Sequence, residues 1–310
     1  MLSNKPFEVP ADLTEKMQSV APVRMAVAGV ESPEVMASVR LAMQARVMEP
    51  LLVGDPARIH ALAREAGWQA DGLFIEAAIG EEAQAAGAVR LVREKSAQAI
   101  LKGDLHTHTL LKAVLNRQDG LRAGRRLSHV FHMSVPGQAK PLYIADAVIN
   151  VAPDRDTLCD IIVNAAGMVR GLGVARPKIA VLSASEVVSE AMPSTLLARD
   201  AAAMAQQILA DSADVQGPLA FDLAISPKAA AHKHVSGPVA GQADVLVVPN
   251  IETGNSLFKM MVYFMSATAA GLVLGAACPI GLTSRADPPE ARLASSMLCA
   301  LLVAGSSPAS

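Results

Sequence analysis

The chain of 310 residues has few cysteines, few aromatic residues and no excess of charge of either sign. Its three cysteines, Cys159, Cys278 and Cys299, are odd in number and far apart, which argues against a disulfide framework and favours a reducing compartment. The 27 Lys+Arg residues nearly balance the 29 Asp+Glu residues, and the net charge is −2. This balance gives no general attraction to nucleic acid or to an anionic membrane, so we expect neither as a partner.

Long apolar runs and a secretory signal are also missing. The most apolar stretch, Ala267 to Ile280, is shorter than the ~20 residues of a membrane-spanning helix and contains Gly271 and Gly275. We interpret it as buried strand. The N-terminal residues MLSNKPFEVPADLTEKM contain no apolar segment of the signal-peptide type. The sequence therefore predicts a cytoplasmic protein.

Several familiar catalytic motifs are absent. No GxxxxGK[ST] or GxSxG sequence occurs, which gives no support to a P-loop or an α/β-hydrolase. The nearest approach to GxGxxG, at 171–176, lacks the last glycine and follows a predicted helix, so we interpret it as a helix C-terminus. Cys278 and Cys299 lie in apolar runs, which indicates core residues rather than nucleophiles.

What is present is an alternation of strands and helices. Hydrophobic residues make up 52% of the chain, and short β-branched runs alternate with Ala-, Leu- and Met-rich stretches. This pattern predicts an α/β fold with a largely parallel sheet, and the length suggests two domains. The predicted strands are 23–30, 49–54, 73–77, 97–103, 127–135, 142–149, 178–183, 219–222, 244–249, 270–275 and 280–283, and the main predicted helices are 33–46, 56–67, 81–95, 155–171, 193–211, 256–267 and 288–304.

The alternation breaks once, near the middle of the chain. The strand-like segments 127–135 and 142–149 are separated by Pro136 and Gly137 and by no helix. This arrangement predicts a β-hairpin with a loop longer than two residues. We interpret it as the passage between two domains.

Two His-x-His pairs raise the question of a metal site. His106 and His108 follow a predicted strand, where two imidazoles can share one metal ion, and His232 and His234 lie near a helix end. No further Cys, His or carboxylate at a recognisable spacing completes a ligand set. We therefore expect no metal, and we expect His106 and Thr107 to contact substrate instead.

Polar residues are concentrated in three strand-to-helix turns, at 103–109, 249–256 and 282–287. Helix N-termini offer free N–H groups and a positive dipole end to anions, although each turn alone also fits simple N-capping. The third turn gives the strongest signal, because Arg285 beside Ser284 can hold a phosphate with two parallel hydrogen bonds.

Six ordered motifs resemble those of the phosphate acetyltransferase/phosphate butyryltransferase family. The resemblance extends from about Val23 to the C-terminus and is closest to the butyryltransferase-type branch and to the acyltransferase part of bifunctional enoyl-CoA hydratase/phosphate acetyltransferase proteins. The motifs are KGDLHTHTLLKAVLNR (102–117), GRRLSHVFHM (124–133), YIADAVINVAPD (143–154), GPLAFDLAIS (217–226), SGPVAGQAD (236–244) continuing to Asn255, and LTSRAD (282–287).

The resemblance implies a fold and an activity. The fold would be two α/β domains of the isocitrate/isopropylmalate dehydrogenase type with the active site in the cleft between them, here 1–130 plus 276–310 and 131–275. The activity would be transfer of an acetyl or butyryl group between coenzyme A (CoA) and inorganic phosphate, by direct attack of the CoA thiolate on an acyl phosphate. The resemblance implies no cofactor beyond CoA as co-substrate, and a homodimer or larger homo-oligomer.

The resemblance also implies site residues. Ser284 and Arg285 match the Ser-Arg pair that stabilises the transition state and holds phosphate. Gly254 and Asn255 match a turn that faces this pair, and Lys112 falls where many members have an arginine that contacts substrate or CoA. Lysine keeps the charge but not the two-pronged geometry of arginine.

Two further expectations concern the GRRLSHVFHM motif and the catalytic base. We expect Ser128, in that motif, to contact substrate. The acetyl enzymes place a catalytic aspartate about six residues after the arginine, where this chain has Ala291. The butyryl-type motif instead offers Asp287, with Glu290 nearby, and we prefer Asp287.

Two other functions remain open at this point. A metal-dependent dehydrogenase can share the fold, although the sequence has no nucleotide motif and no cluster of metal-binding carboxylates. A non-catalytic CoA- or phosphate-binding protein can keep the scaffold. The Ser284-Arg285 pair argues against the second function, and Ala291 weakly favours it.

Overall fold

A computed structural model describes residues 2–68, 70, 72–283 and 287–306. The described residues form two compact units. The first unit comprises residues 7–125 and 270–306, and the second comprises residues 2–6 and 126–269. The fold is mixed α/β, as the sequence predicts.

Residues 7–125 alternate between helix and strand. The elements are α1 (Ala11–Met17), β1 (Val23–Ala28), α2 (Pro33–Gln44), β2 (Met48–Gly54), α3 (Pro56–Glu65), β3 (Phe74–Ala77), α4 (Glu81–Arg93), β4 (Ala99–Lys102) and α5 (Thr107–Val114).

The rest of the chain continues this pattern after a hairpin. The elements are β5 (Ser128–Ser134), β6 (Leu142–Ala145), α6 (Arg155–Gly171), β7 (Lys178–Leu182), α7 (Pro193–Leu209), β8 (Asp214–Leu219), α8 (Phe221–Ile225), α9 (Pro227–His232), β9 (Val245–Val247), α10 (Ile251–Met265), β10 (Thr268–Leu274), β11 (Ile280–Gly281) and α11 (Pro289–Ser306).

In the first unit the strand order is β3-β2-β1-β4-β11-β10. All neighbouring strands are parallel except β10, which runs antiparallel to β11. Strand β1 is almost wholly buried because it lies inside the sheet and helices cover it. Parallel strands end at the same edge of the sheet, so the loops that follow β1, β4 and β11 leave from one edge.

In the second unit the strand order is β5-β6-β9-β7-β8. Strands β5 and β6 form the predicted hairpin, with Met133 opposite Leu142, and the other strands are parallel. Both strands of the hairpin belong to the second unit, which the chain enters at Arg126. The apolar residues of the hairpin contribute to the core of this unit, together with Leu246 and Leu223.

Local caps explain why several helices begin where the sequence predicts. Ser32 and Asp55 accept hydrogen bonds from Val35 N (3.3 Å) and Ala57 N (2.9 Å), and each is followed by a proline at the first helical position. Asp154 accepts a hydrogen bond from Thr157 N (2.8 Å) and starts α6. These interactions are encoded within a few residues, so the sequence alone locates them.

The strand predicted at 219–222 is wrong. The strand is Asp214–Leu219, and helix α8 begins at Phe221. Gly217 and Pro218 disfavour strand formation, but β8 is an edge strand of the sheet, where proline is tolerated. A Cβ on Gly217 would lie 2.7 Å from Val181 Cβ, so the close packing of β8 on β7 requires glycine here.

The helix predicted to begin at Ser256 begins five residues earlier, at Ile251. Asn250 is its N-cap and accepts hydrogen bonds from the Thr253 amide (2.9 Å) and hydroxyl (2.7 Å). Gly254 lowers helix propensity, which makes this turn resemble a loop in the sequence. The sequence also did not predict α1, α8 and most of α9, because each of these helices is only five to seven residues long.

No helix in the described ranges combines the length and the apolar character that a membrane span needs.

Candidate active site

In the first unit, glycine brings the loop after β4 against the end of β1. The Gly103 and Asp104 amides donate to the carbonyl groups of Ala28 and Gly29, both at 2.8 Å. A Cβ on Gly103 would lie 2.1 Å from the Gly29 carbonyl oxygen, so only glycine permits this approach. The KGD sequence thereby positions His106, which caps α5, at the edge of the sheet where β4 and β11 end.

Glu81, which the sequence analysis missed, holds His106. One carboxylate oxygen of Glu81 lies 2.7 Å from His106 Nδ1. The other accepts hydrogen bonds from the His106 amide (3.0 Å) and the Thr109 hydroxyl (3.2 Å). The His106 amide contributes most to lowering the pKa of Glu81, and the His106 ring and the Thr109 hydroxyl lower it further. Glu81 is therefore an ionised acceptor at neutral pH.

A second, looser pair joins the same two helices. Lys112 Nζ lies 3.3 Å from Glu82 Oε1, and these side chains are 68% and 83% exposed. Such an exposed ion pair contributes at most about 1 kcal/mol, so Lys112 can leave Glu82 at little cost. Thr107, the first residue of α5, is half-buried.

Ser284 and Arg285 lie outside the described residues. They belong to the segment that connects β11 to α11, and Asp287 lies two residues before that helix. Asp287 is half-buried and lines a cavity of about 610 Å³ with Arg40 and Arg292.

The two other positions considered for the base belong to α11. Glu290 is in the first turn of the helix. Ala291 is only 2% exposed, which shows that its position faces the core.

Three predicted substrate contacts belong to the second unit. Ser128 is fully buried, and its hydroxyl accepts a hydrogen bond from Asn164 Nδ2 (2.9 Å). This pair holds β5 against α6. Gly254 and Asn255 lie in the first two turns of α10, where Asn255 is half-buried.

Gly254 has a packing role that the sequence did not reveal. A Cβ at this position would lie 2.7 Å from the carbonyl oxygen of Asp146 and 2.9 Å from Ala147 Cβ. Helix α10 therefore approaches the segment after β6 so closely that only glycine fits. This contact fixes the start of α10, and with it Asn255.

Asp146 organises that segment. The residue is 2% exposed, and its carboxylate accepts hydrogen bonds from the amides of Val148 (2.8 Å), Ile149 (3.0 Å), Asn150 (3.3 Å) and His129 (3.1 Å). The Asn150 side chain donates to the same carboxylate at 2.7 Å and to the Leu127 carbonyl at 2.9 Å. The YIADAVINVAPD motif contains both residues, and it was the only signal for their role in the sequence.

Cys278 and Cys299 are buried, as the sequence predicts for core residues. Burial raises the pKa of Cys278 to about 12 and also raises that of Cys299, so neither is a thiolate at neutral pH.

The histidines of the first His-x-His pair point to different surroundings: His108 is exposed, and the Nδ1 atom of His106 faces Glu81. Within the described part of the chain, no three His, Cys, Asp or Glu side chains form a group that could hold a metal.

Comparisons with known proteins agree with this architecture. Residues 75–300 match the family described as phosphate acetyl/butaryl transferase. The chain is 43% identical over 258 residues to a phosphate acetyltransferase of Rhizobium meliloti, covering 83% of this chain and 82% of the relative. It is 41% identical over 269 residues to a probable phosphate butyryltransferase of Bacillus subtilis, covering 87% and 89%.

The comparison with solved structures agrees with these sequence matches. A branched-chain phosphotransacylase from Enterococcus faecalis superposes with a TM-score of 0.78 at 35% identity, covering 91% of this chain and 99% of that one. The chain belongs to the phosphate acetyl/butaryl transferase family. The resemblance read from the motifs is confirmed, and so is the expectation that the chain is an enzyme, an acyltransferase.

Proposed function

We propose that the protein transfers an acetyl or butyryl group between CoA and inorganic phosphate (acyl-CoA + phosphate = acyl phosphate + CoA). The observation that carries this proposal is the pairing of β11 with β4, which brings together the ends of two strands. The loop after β4 presents His106, Thr107 and the Lys112 helix, and the segment after β11 contains Ser284 and Arg285. Both of these segments contain motifs of the family.

We propose direct transfer within a ternary complex. The CoA thiolate attacks the carbonyl carbon of the acyl phosphate, a C–S bond forms, and the C–O bond to phosphate breaks. In this proposal Arg285 and Ser284 hold the phosphate and stabilise the charge that develops on it, while Lys112 attracts anionic groups of the substrates. Asp287 assists removal of the thiol proton, chiefly by orienting the thiol, and no cofactor takes part.

A thiol-release assay tests the activity. Acetyl or butyryl phosphate with CoA is expected to give acyl-CoA, and acyl-CoA with phosphate to release free thiol, without added nucleotide or divalent metal. Chelation followed by metal analysis should leave the rate unchanged, because we propose that protein groups alone stabilise the developing charge.

The same assay separates the alternative functions. A non-catalytic CoA- or phosphate-binding protein would bind these ligands and release no thiol. A metal-dependent dehydrogenase would require a nicotinamide nucleotide, and the loss of activity after chelation would contradict our proposal.

The two candidate carboxylates can be compared through the pH dependence of kcat/KM for CoA. Asp287→Asn is expected to lower this constant more than Glu290→Gln, because Asp287 is closer to Arg285 in the sequence. We propose an orienting role for Asp287, which lies two residues before α11. If only Glu290→Gln removed the acidic limb of the pH profile and most of the turnover, Glu290 would be the group that assists removal of the thiol proton.

We further propose that the two units are the two domains of the isocitrate/isopropylmalate dehydrogenase arrangement, and that the protein works in the cytoplasm as a homodimer or larger homo-oligomer. Helix α10 supports the assembly, because Met260, Tyr263 and Phe264 expose apolar surface on one face of it. A molecular mass of one chain in light scattering would contradict the assembly.

A further inference from the structure

The contact between Glu81 and His106 determines which nitrogen of the imidazole ring carries a proton. Glu81 is at the start of α4 and His106 caps α5, and these two helices pack together. An ionised carboxylate can only accept hydrogen bonds. Since Glu81 Oε1 lies 2.7 Å from Nδ1, a neutral His106 must carry its proton on Nδ1. The lone pair is then on Nε2.

The geometry leaves Nε2 accessible. The His106 side chain is 72% exposed although its Nδ1 faces a carboxylate. The Thr109 hydroxyl and the His106 amide both bind the second oxygen of Glu81, so the carboxylate itself is held in place. A base oriented by a fixed carboxylate is the arrangement that other acyl-transfer enzymes use to move protons.

Acyl transfer between CoA and phosphate requires a proton to move at the phosphate oxygen as well as at the thiol. Without that transfer, breaking the C–O bond of a dianionic acyl phosphate would release the phosphate trianion, a strong base and a poor leaving group. In the opposite direction, the attacking HPO4²⁻ must lose its proton. Asp287 was assigned above to the thiol, so a separate group is needed at the phosphate.

We propose that His106 is the general acid and base at the phosphate oxygen, and that Glu81 is its positioning residue; this inference rests on the proposed acyl transfer. When acyl phosphate forms, Nε2 takes the proton of HPO4²⁻, the phosphate oxygen bonds to the thioester carbon, and the C–S bond breaks. The proton then leaves to solvent and the CoA thiolate takes one up, so that CoA is released as the thiol. In the reverse direction, the imidazolium protonates the departing phosphate.

Other charged groups around His106 are arranged so that they do not displace Glu81. Glu82 on α4 pairs with Lys112 on α5, and Lys102 donates to the backbone carbonyls of Gly103 (3.0 Å) and Leu105 (3.1 Å). Asp104, His108 and Glu31 are the other titratable side chains near the start of these helices, and Glu31 accepts a hydrogen bond from Gln84. Arg90 and Arg93, in the last turn of α4, pair with Glu76 and Asp119.

The test measures kcat/KM for phosphate against pH in the direction that forms acyl phosphate. His106→Gln is expected to lower this constant about 10²-fold and to remove the enzyme's contribution to its acidic limb. Glu81→Gln is expected to lower it about 10-fold, because the carboxylate orients the imidazole ring and fixes the proton on Nδ1. Phosphate itself titrates equally in all variants, so differences between their profiles come from the protein.

Glu82→Gln is the matched control, since it removes the neighbouring carboxylate in the same turn of α4 and leaves His106 untouched. Its kcat/KM for phosphate should stay within about two-fold of wild type, in line with its exposed ion pair. Added imidazole should restore part of the activity of His106→Gly. In all variants the KM for acyl-CoA should change little.

The outcomes separate this inference from the proposed function. A wild-type protein without acyl transfer would contradict the proposed function itself. An active wild type whose His106→Gln variant keeps the wild-type kcat/KM and acidic limb would overturn only the role of His106. If the His106 and Glu81 variants lost the same fraction of kcat/KM at every pH, and imidazole did not restore activity, Glu81 and His106 would have a structural role. That result would also overturn the inference.

Discussion

Replacement of Arg285 by alanine is expected to reduce the rate of acyl transfer by about 10²–10³-fold. The substitution removes the guanidinium group that, in our proposal, binds the phosphate with two hydrogen bonds in the transition state. In the proposed mechanism negative charge grows on the phosphate oxygens as the C–O bond breaks. A guanidinium that binds two of these oxygens stabilises the transition state more than the ground state. The loss should therefore appear in kcat as well as in KM, measured by thiol release or acyl-CoA formation.

Two companion variants make this result specific. Arg285→Lys should recover only part of the rate, because an ammonium group restores the charge but not the paired hydrogen bonds. Arg93→Ala removes an exposed arginine of the first unit that pairs with Asp119 at 2.7 Å, and it should leave the rate nearly unchanged. Near-wild-type kinetics in Arg285→Ala would remove the central residue of the proposed mechanism.

The second large effect is on stability. Asp146→Ala is expected to lower the free energy of unfolding by about 3 kcal/mol or more, since each buried donor left without a partner costs about 1–3 kcal/mol. The residue is 2% exposed, and its carboxylate accepts five hydrogen bonds, four of them from backbone amides. Urea denaturation followed by circular dichroism measures the change.

Asp154→Ala is the matched control for Asp146→Ala. Asp154 also accepts a hydrogen bond from a backbone amide, that of Thr157, but it lies at the exposed N-terminus of α6, where water can replace it. Its loss should destabilise the protein clearly less than the loss of Asp146, as for other exposed N-caps. If the two substitutions destabilised the protein equally, the network around Asp146 would not have the role described here.

Features that depend on neighbouring residues could be predicted from the sequence. Helix α6 begins and ends as predicted, because Asp154 caps it and apolar residues recur at helical spacing. The hairpin of β5 and β6 follows from two apolar runs separated by Pro136 and Gly137. The family could also be identified from ordered motifs, although the roles of their residues are implied by resemblance and stay predictions.

Tertiary structure alone decided the features that join distant parts of the chain. Glu81 and His106 are 25 residues apart, and no local pattern links a helix-starting glutamate to that histidine. Gly103 and Gly254 are required by the backbones of β1 and of the segment after β6, which the sequence does not place beside them. Strand β8 contains Gly217 and Pro218 against local propensity, because its pairing with β7 outweighs that preference. Local sequence determines caps, periodicity and motifs, whereas these contacts arise only when packing brings remote segments together.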